Sequence, residues 1–312
     1  MSKLEILDRL NFKIEKLLKL NGLYNLKYLN CKKIYNYKEL QDFAKDSENI
    51  SQKCFELNKQ MQQEKISEKL MKGYCSFCNK EREFLIKTMP EFSSDLLFRE
   101  ILYCQKCWSF NRLRALIHIF RSFERNPKNL NIYTYERGTD FFRNLDGKFG
   151  KNNKIVGSEY FGPDRLPGEI VDGIRHEDST NLSFEDNSFN YIFSNDVFEH
   201  VQDIQKTLLE VKRCLSKGGR LIANIPCEWN REKTLVRAKI TNSKVEYAAD
   251  KIYHGGFSCD DPNGSLVFYS FGQDIFEIFK QAGFATSYGI AIQDEYFGNI
   301  GYEPLVIFVA EK

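Results

Sequence analysis

Up to residue 72, apolar residues recur at helical spacing. In "LDRLNFKIEKLLKL", Leu7, Leu10, Ile14, Leu17 and Leu18 fall on roughly one helical face. A looser pattern of the same kind, with Phe55, Leu57, Met61, Ile66 and Leu70, predicts a second helix over about 50–71. From about residue 129 the pattern changes. The short apolar runs "LNIYTY", "NKIVGSE", "FNYIFSN" and "GRLIANIP" read as buried strands, and "EPLVIFVAEK" as a terminal one. Between and after them, "VQDIQKTLLEVKRCL" and "FGQDIFEIFKQAG" read as helices, the second stopping at Gly283. Strands alternating with helices predict an α/β domain: a mostly parallel sheet with helices on both faces. The expected organisation is a helical region over 1–72, a cysteine-bearing module and linking helix over 73–128, and the sheet domain over 129–312.

Composition narrows the function classes. Of 312 residues, 42% are hydrophobic and 28% charged, the balance of a folded chain with a sizeable core. A formal net charge of +2 gives no case for bulk nucleic-acid binding. The fifteen basic residues of 1–72 are interleaved with ten acidic ones, which disfavours a membrane-surface role. Those helices are expected to cover the core or to pair with another subunit as a homo-oligomer contact. No secretory signal and no apolar run near eighteen residues is visible, so the expected location is the cytoplasm.

Nine cysteines are too few for a disulfide scaffold of this length, and four of them come in matched pairs. Cys75 and Cys78 ("YCSFCNK") and Cys104 and Cys107 ("YCQKCWS") are separated by twenty-five residues. A two-residue spacer lets both sulfurs of a pair reach one ion, and four thiolates are the usual ligand set of a structural zinc. Iron held by the same sulfurs is the main competitor. Arg112 and Arg114 follow closely. They are candidate binders of a phosphate or carboxylate on a substrate, or else pair with the acids of "EFSSDLLFRE".

In an open α/β sheet, ligands sit beyond the carboxyl ends of the strands. The first expected strand ends at Tyr135 and leads into "ERGTDFF". Gly138 lets the chain turn closely against a ligand, and Thr139 or Asp140 can cap the next helix. The dinucleotide fingerprint GxGxxG is absent, and Glu136 and Asp140 would repel a pyrophosphate. They would not repel a cationic cofactor. Glu159 ends the second strand, where a carboxylate can accept hydrogen bonds from both hydroxyls of a ribose. Asp178 falls in the loop after the third strand, suited to an adenine amino group, with Ser179 beside it. "FNYIFSN" ends near Ser194 and Asp196, and Glu199 and His200 are expected to open the following helix.

With these residues in view, the stretch from about 131 to 227 resembles the class I S-adenosylmethionine-dependent methyltransferases, specifically their type 11 group. The resemblance rests on the acid and glycine of "ERGTD", on Glu159, and on the long run "DSTNLSFEDNSFNYIFSNDVFEHV". It continues through "LLEVKRCLSKGGRLIANIP", read as helix, Gly218-Gly219 turn and fifth strand. It implies a Rossmann-like sheet and S-adenosylmethionine as cofactor, touched by Glu136, Gly138, Glu159, Asp178, Ser179 and Ser194. The family's loop is usually richer in glycine; here Asp140 stands where a further glycine is usual.

The reaction so implied is direct in-line transfer of a methyl group. His200 and His254 are the candidate bases for a hydroxyl acceptor. Residues 228–268 read as an insertion covering the substrate. Asp196, Trp229 and Tyr253 join Arg112 and Arg114 as candidate substrate-binding residues. The leading expectation is O-methylation of a small molecule or glycan, an association with polysaccharide biosynthesis carried by the family resemblance alone. The alternatives are an RNA or protein methyltransferase gripping its substrate with the zinc module, and a non-catalytic scaffold.

Overall fold

The computed structural model describes residues 29–88, 93, 95–242, 244–255 and 264–312. The helix expected over Leu7–Leu18 lies outside them. After a short strand β1 (Cys31–Ile34) come two helices, α1 (Tyr37–Asp46) and α2 (Glu48–Gln63). The pattern read as one helix over about 50–71 is therefore split: helix ends at Gln63, and Glu68–Cys75 is a strand, β2. The reason lies in the turn between them, where Lys65 takes a left-handed φ of 53° and breaks the helical course.

The chain divides into two units. One contains residues up to Lys32, Phe43–Pro127 and Ile292–Leu305. Its centre is a three-stranded antiparallel sheet of β2, β3 (Lys80–Lys87) and β4 (Tyr103–Cys104), followed by helix α3 (Asn111–Phe123). Ile292–Leu305 completes it. Asn111 Nδ2 donates to the carbonyls of Phe98 and Ile300, at 2.9 and 2.7 Å. The ring of Phe297 meets His118 edge-on at 4.3 Å.

The other unit contains Lys33–Asp42, Lys128–Ala291 and Val306–Lys312. Its sheet uses β5 (Asn131–Thr134), β6 (Lys154–Glu159), β7 (Ile170–Val171), β8 (Ile174–His176), β9 (Phe189–Asn195), β10 (Leu215–Asn224), β17 (Thr286–Ile292) and β18 (Leu305–Glu311). The order is β1-β17-β18-β10-β9-β5-β6-β8-β7. Strands β8, β6, β5, β9 and β10 run parallel, and β18 lies antiparallel to β10. The Gly218-Gly219 turn expected before the fifth strand lies inside β10, where the register shifts between Leu215 and Arg220.

Two crossovers fix where the helices lie. The chain steps from β5 through α4 (Asp140–Phe149) to β6 in one direction across the sheet. It steps from β9 through α5 (Ile204–Cys214) to β10 in the other. Both crossovers are right-handed in the usual way, so the two helices fall on opposite faces. The point of reversal lies between β5 and β9, and the crevice at their carboxyl ends is where such sheets bind ligands. The mixed, doubly wound sheet with its antiparallel β18 is the Rossmann-like architecture of class I methyltransferases.

Local sequence explains the elements. Thr139 caps α4 through Phe142 N–H, and Asp203 caps α5 through Lys206 N–H at 3.0 Å. β18 is almost wholly apolar and β9 is buried along nearly its whole length, as strands covered on both faces require. A Cβ at Gly157 would meet the Phe142 ring at 2.6 Å, so only glycine lets α4 pack this closely on β6.

Candidate functional site

The cysteine pairs form two copies of one turn. Asn79 N–H donates to the Cys75 carbonyl and Trp108 N–H to the Cys104 carbonyl, each at 2.8 Å. Asn79 and Trp108 both take left-handed backbone, at φ 57° and 58°. Asparagine tolerates that conformation; for tryptophan it is costly, and the ring is left 57% exposed. The turns bring Cys75 Sγ to 3.6 Å from Cys107 Sγ, and Cys78 Sγ to 3.8 Å from Cys104 Sγ. All four sulfurs lie within 4.8 Å of one another. Hydrogen bonding from Cys107 holds the Cys104 thiol well below its ordinary range, whereas the bond to Cys104 pushes Cys75 up. Four sulfurs this close cannot all ionise without a cation between them, and the all-thiolate set fits a structural zinc.

Both arginines beside the cluster have partners within the protein. Arg114 is 1% exposed and donates to the carbonyls of Leu102, Ser109 and Gly298, with its guanidinium 4.0 Å from the Phe84 ring centre. Arg112 pairs with Glu100 at 2.9 Å, the last residue of "EFSSDLLFRE". Arg114, enclosed by carbonyls, is thereby withheld from a substrate, while Arg112 takes the pairing expected with this acidic stretch.

At the sheet, acids stand at three neighbouring strand ends. Glu136, after β5, is buried, and its Oε2 accepts from Asn195 Nδ2 at 3.4 Å. Glu159 ends β6, and its Oε1 accepts the Gly138 N–H at 2.6 Å. A Cβ at Gly138 would stand 3.2 Å from that oxygen, so the glycine permits the approach. Burial raises the Glu159 carboxyl above its ordinary range, opposed by hydrogen bonds from the Gly138 and Arg137 backbone. Asp178 follows β8, and its Oδ1 accepts from the N–H and Oγ1 of Thr180, both at 2.8 Å. Ser179 Oγ lies 3.2 Å from Thr207 Oγ1. Asp140, in place of a glycine, is paired with Arg143 on the first turn of α4. These carboxylates suit a ligand bearing hydroxyls and positive charge, and so fit S-adenosylmethionine. Ser194 is fully buried near the end of β9, opposite Ala223.

Past β9 the chain turns at Asp196, whose φ is 50° and whose N–H donates to the Asn224 carbonyl at 2.9 Å. Glu199 and His200 do not open a helix as expected. They occupy a separate 3-10 turn, Phe198–His200, which ends where Val201 becomes extended; α5 begins only at Ile204. The stretch 228–268 contributes three two-stranded ladders. They are β11 (Leu235–Val236) with β16 (Tyr269–Ser270), β12 (Ala238–Thr241) with β13 (Lys244–Tyr247), and β14 (Tyr253–His254) with β15 (Ser265–Leu266). Phe268 N–H donates to the Glu199 carbonyl at 2.7 Å, and His200 Nδ1 lies 2.8 Å from the Leu266 carbonyl. His200 Nε2 is 3.6 Å, and His254 Nδ1 3.7 Å, from the same oxygen, Oε1 of Glu199. The two imidazoles therefore meet around one carboxylate, an association the sequence hides behind fifty-three intervening positions. Trp229 is stacked between Tyr37 and Phe276. Tyr253 pairs with Leu266 in the ladder.

Residues 159–223 match the model of a family described as "Methyltransferase domain". No curated protein matches the chain. Three solved structures resemble it distantly. An S-adenosylmethionine-dependent methyltransferase from Mesorhizobium loti is 16% identical over 64% of this chain and 98% of its own, with a TM-score of 0.40. One from Aquifex aeolicus is 12% identical over 63% and 87%, with a TM-score of 0.37. A phosphoethanolamine N-methyltransferase from Haemonchus contortus is 17% identical over 64% and 52%, with a TM-score of 0.38. The strand order of the sheet, more than these likenesses, defines the fold. Among the described residues no helix is long and apolar enough to cross a membrane.

Proposed function

We propose that this chain is an S-adenosylmethionine-dependent methyltransferase acting on the oxygen of a small-molecule or glycan acceptor, in the cytoplasm, with residues 129–312 as the catalytic domain. The observation that carries the reading is the set of carboxylates Glu136, Glu159 and Asp178 at the carboxyl ends of three neighbouring parallel strands. In this reading Glu159 holds the ribose hydroxyls, Asp178 the adenine amino group, and Glu136 faces the cationic end of the cofactor. S-adenosylmethionine, when bound, supplies an already electrophilic methyl group. The protein's task is then alignment, exclusion of water and removal of the acceptor proton.

His200 Nε2 is the better-prepared base of the two candidates. Its Nδ1 faces a carbonyl, which can only accept, so Nδ1 carries the hydrogen and Nε2 the lone pair. Asp196 and Tyr253 remain on the acceptor side. A macromolecular acceptor is the second reading, favoured by the exposed Trp108 on the cysteine turn. Labelled cofactor offered to nucleotide-sugars and glycans alongside bulk RNA separates the two.

Calorimetry tests the cofactor assignment. Wild-type chain should bind S-adenosylmethionine, and Glu159→Ala should bind it more weakly by roughly 1–3 kcal/mol, about 5- to 150-fold, as hydrogen bonds to a charged group are lost. Unchanged affinity would remove Glu159 from the ribose, and no binding by wild type would leave only the scaffold alternative.

A further inference from the structure

We propose that Glu199, His200 and His254 form a binding site for one divalent transition-metal ion, distinct in chemistry from the four-cysteine cluster. The starting observation is an electrostatic misfit. The Glu199 side chain is 1% exposed, and neither of its carboxylate oxygens has a hydrogen-bond partner. An ionised carboxylate buried without hydrogen bonds is among the costliest arrangements in a protein interior, and something must compensate it.

What faces it is a pair of imidazole nitrogens. His200 Nε2 and His254 Nδ1 stand 3.6 and 3.7 Å from Oε1. A hydrogen-bonded imidazolium–carboxylate pair would sit at about 2.7–3.2 Å. The observed separations are close to those between neighbouring ligands of a shared ion. With metal–ligand bonds of about 2.0–2.1 Å, two tetrahedral ligands lie about 3.4 Å apart. The ligand atoms of all three residues fall within 4.8 Å of one another. The two rings are set edge to face, 5.1 Å between centres and 87° between planes, so neither stacks over the other.

The site is also oriented from behind. His200 gives its Nδ1 hydrogen to the Leu266 carbonyl, which fixes the tautomer that leaves Nε2 free to ligate. Ligating histidines characteristically donate their second ring N–H in this way. The strand pair that holds Leu266 also carries His254, opposite Ser265, and Phe268 N–H ties the Glu199 backbone to the same segment. One short ladder thus fixes both imidazoles relative to the acid.

The donor set selects the ion class. Two imidazoles and one carboxylate suit zinc, iron, cobalt or nickel better than magnesium or calcium, which prefer oxygen. Three protein ligands leave coordination positions open, unlike four thiolates. The His254 side chain is 45% exposed, so the open side faces outward. Cation binding here goes beyond methyl transfer. A corollary does rest on that reading: an acceptor hydroxyl bound to the ion would lose its proton more easily, and the two histidines would then be ligands instead of bases.

The test uses the full-length chain. Metal is removed under conditions that keep the fold, cobalt(II) is added in steps, and bound metal is counted after dialysis. Wild type should take up two equivalents. The four-cysteine equivalent shows thiolate charge-transfer absorption, and the other adds ligand-field bands without it. Glu199→Gln and His254→Ala should each weaken the second equivalent more than tenfold while keeping the thiolate band. The His254 side chain is only about half buried, so its variant is expected to keep the fold even where Glu199→Gln does not. Saturation of wild type at one equivalent overturns the proposal, as does a second equivalent retained by His254→Ala. S-adenosylmethionine calorimetry on the same samples reports separately on the methyltransferase reading.

Discussion

The cysteine cluster and the strand-end carboxylates both gather like groups that repel one another, and they do so by opposite means. The four sulfurs are delivered by two copies of a five-residue turn, Cys75–Asn79 and Cys104–Trp108, each closed by a 2.8 Å backbone bond. The three carboxylates come from positions 136, 159 and 178, each placed by the end of a different strand and held by the sheet's parallel register. A local turn needs a cation to hold its thiolates together, since the three-stranded sheet that carries it is small. The sheet needs none, because burial of β5, β6 and β9 already fixes where the acids stand. Dependence on metal should therefore differ sharply between the two units.

Removal of the cysteine-bound metal should have the largest effect. Structural zinc contributes apparent free energies of about 10–16 kcal/mol in small zinc modules. Chelation should expose the amides of β2–β4 to hydrogen exchange while those of β5 and β9 stay protected. Equal protection in both units would break the comparison. Next in size is His200→Ala. If its Nε2 takes the acceptor proton, turnover should fall about 100-fold or more with cofactor affinity unchanged. Turnover within about twofold of wild type would remove His200 from the chemistry; His254→Ala answers the same question for the second imidazole.

The smallest effect concerns what the sheet pays for its acids. Burial raises the Glu159 carboxyl, so the folded chain retains a proton that the unfolded chain has released. Stability contributed at this site therefore falls as pH rises through the carboxylate range and stays lower above it. Glu159→Gln keeps an acceptor for the Gly138 N–H and should abolish that slope, giving a slightly higher melting temperature at neutral pH. A lower one would mean that the charged form is favoured by its surroundings.

Much of this was legible in advance, for identifiable reasons. "FNYIFSN" is a strand from its first residue to its last, built around the apolar and aromatic centre Tyr191–Phe193. Thr139 caps its helix, and Glu159 and Asp178 sit where period and spacing placed them, because strand ends are marked by local sequence. Asp140 in place of glycine is answered by Arg143, one turn along the same helix. Other residues were misjudged where burial decided. Ser194 stands at the end of its strand, as expected, but is fully buried there. Arg114 reads as a surface cation but is enclosed by three carbonyls, one of them from Gly298.

By itself, then, the sequence determined most strands of the sheet and the metal-binding turns, since each depends on neighbours a few positions apart. Only the tertiary structure decided which polar groups meet. The chain marks His200 and His254 as candidate bases but gives no sign that both meet at Glu199. Packing of the β14–β15 ladder against the turn after β9 is what brings an imidazole to a buried carboxylate. Contacts of that range are set by how core surfaces fit together, and no local pattern of residues encodes them.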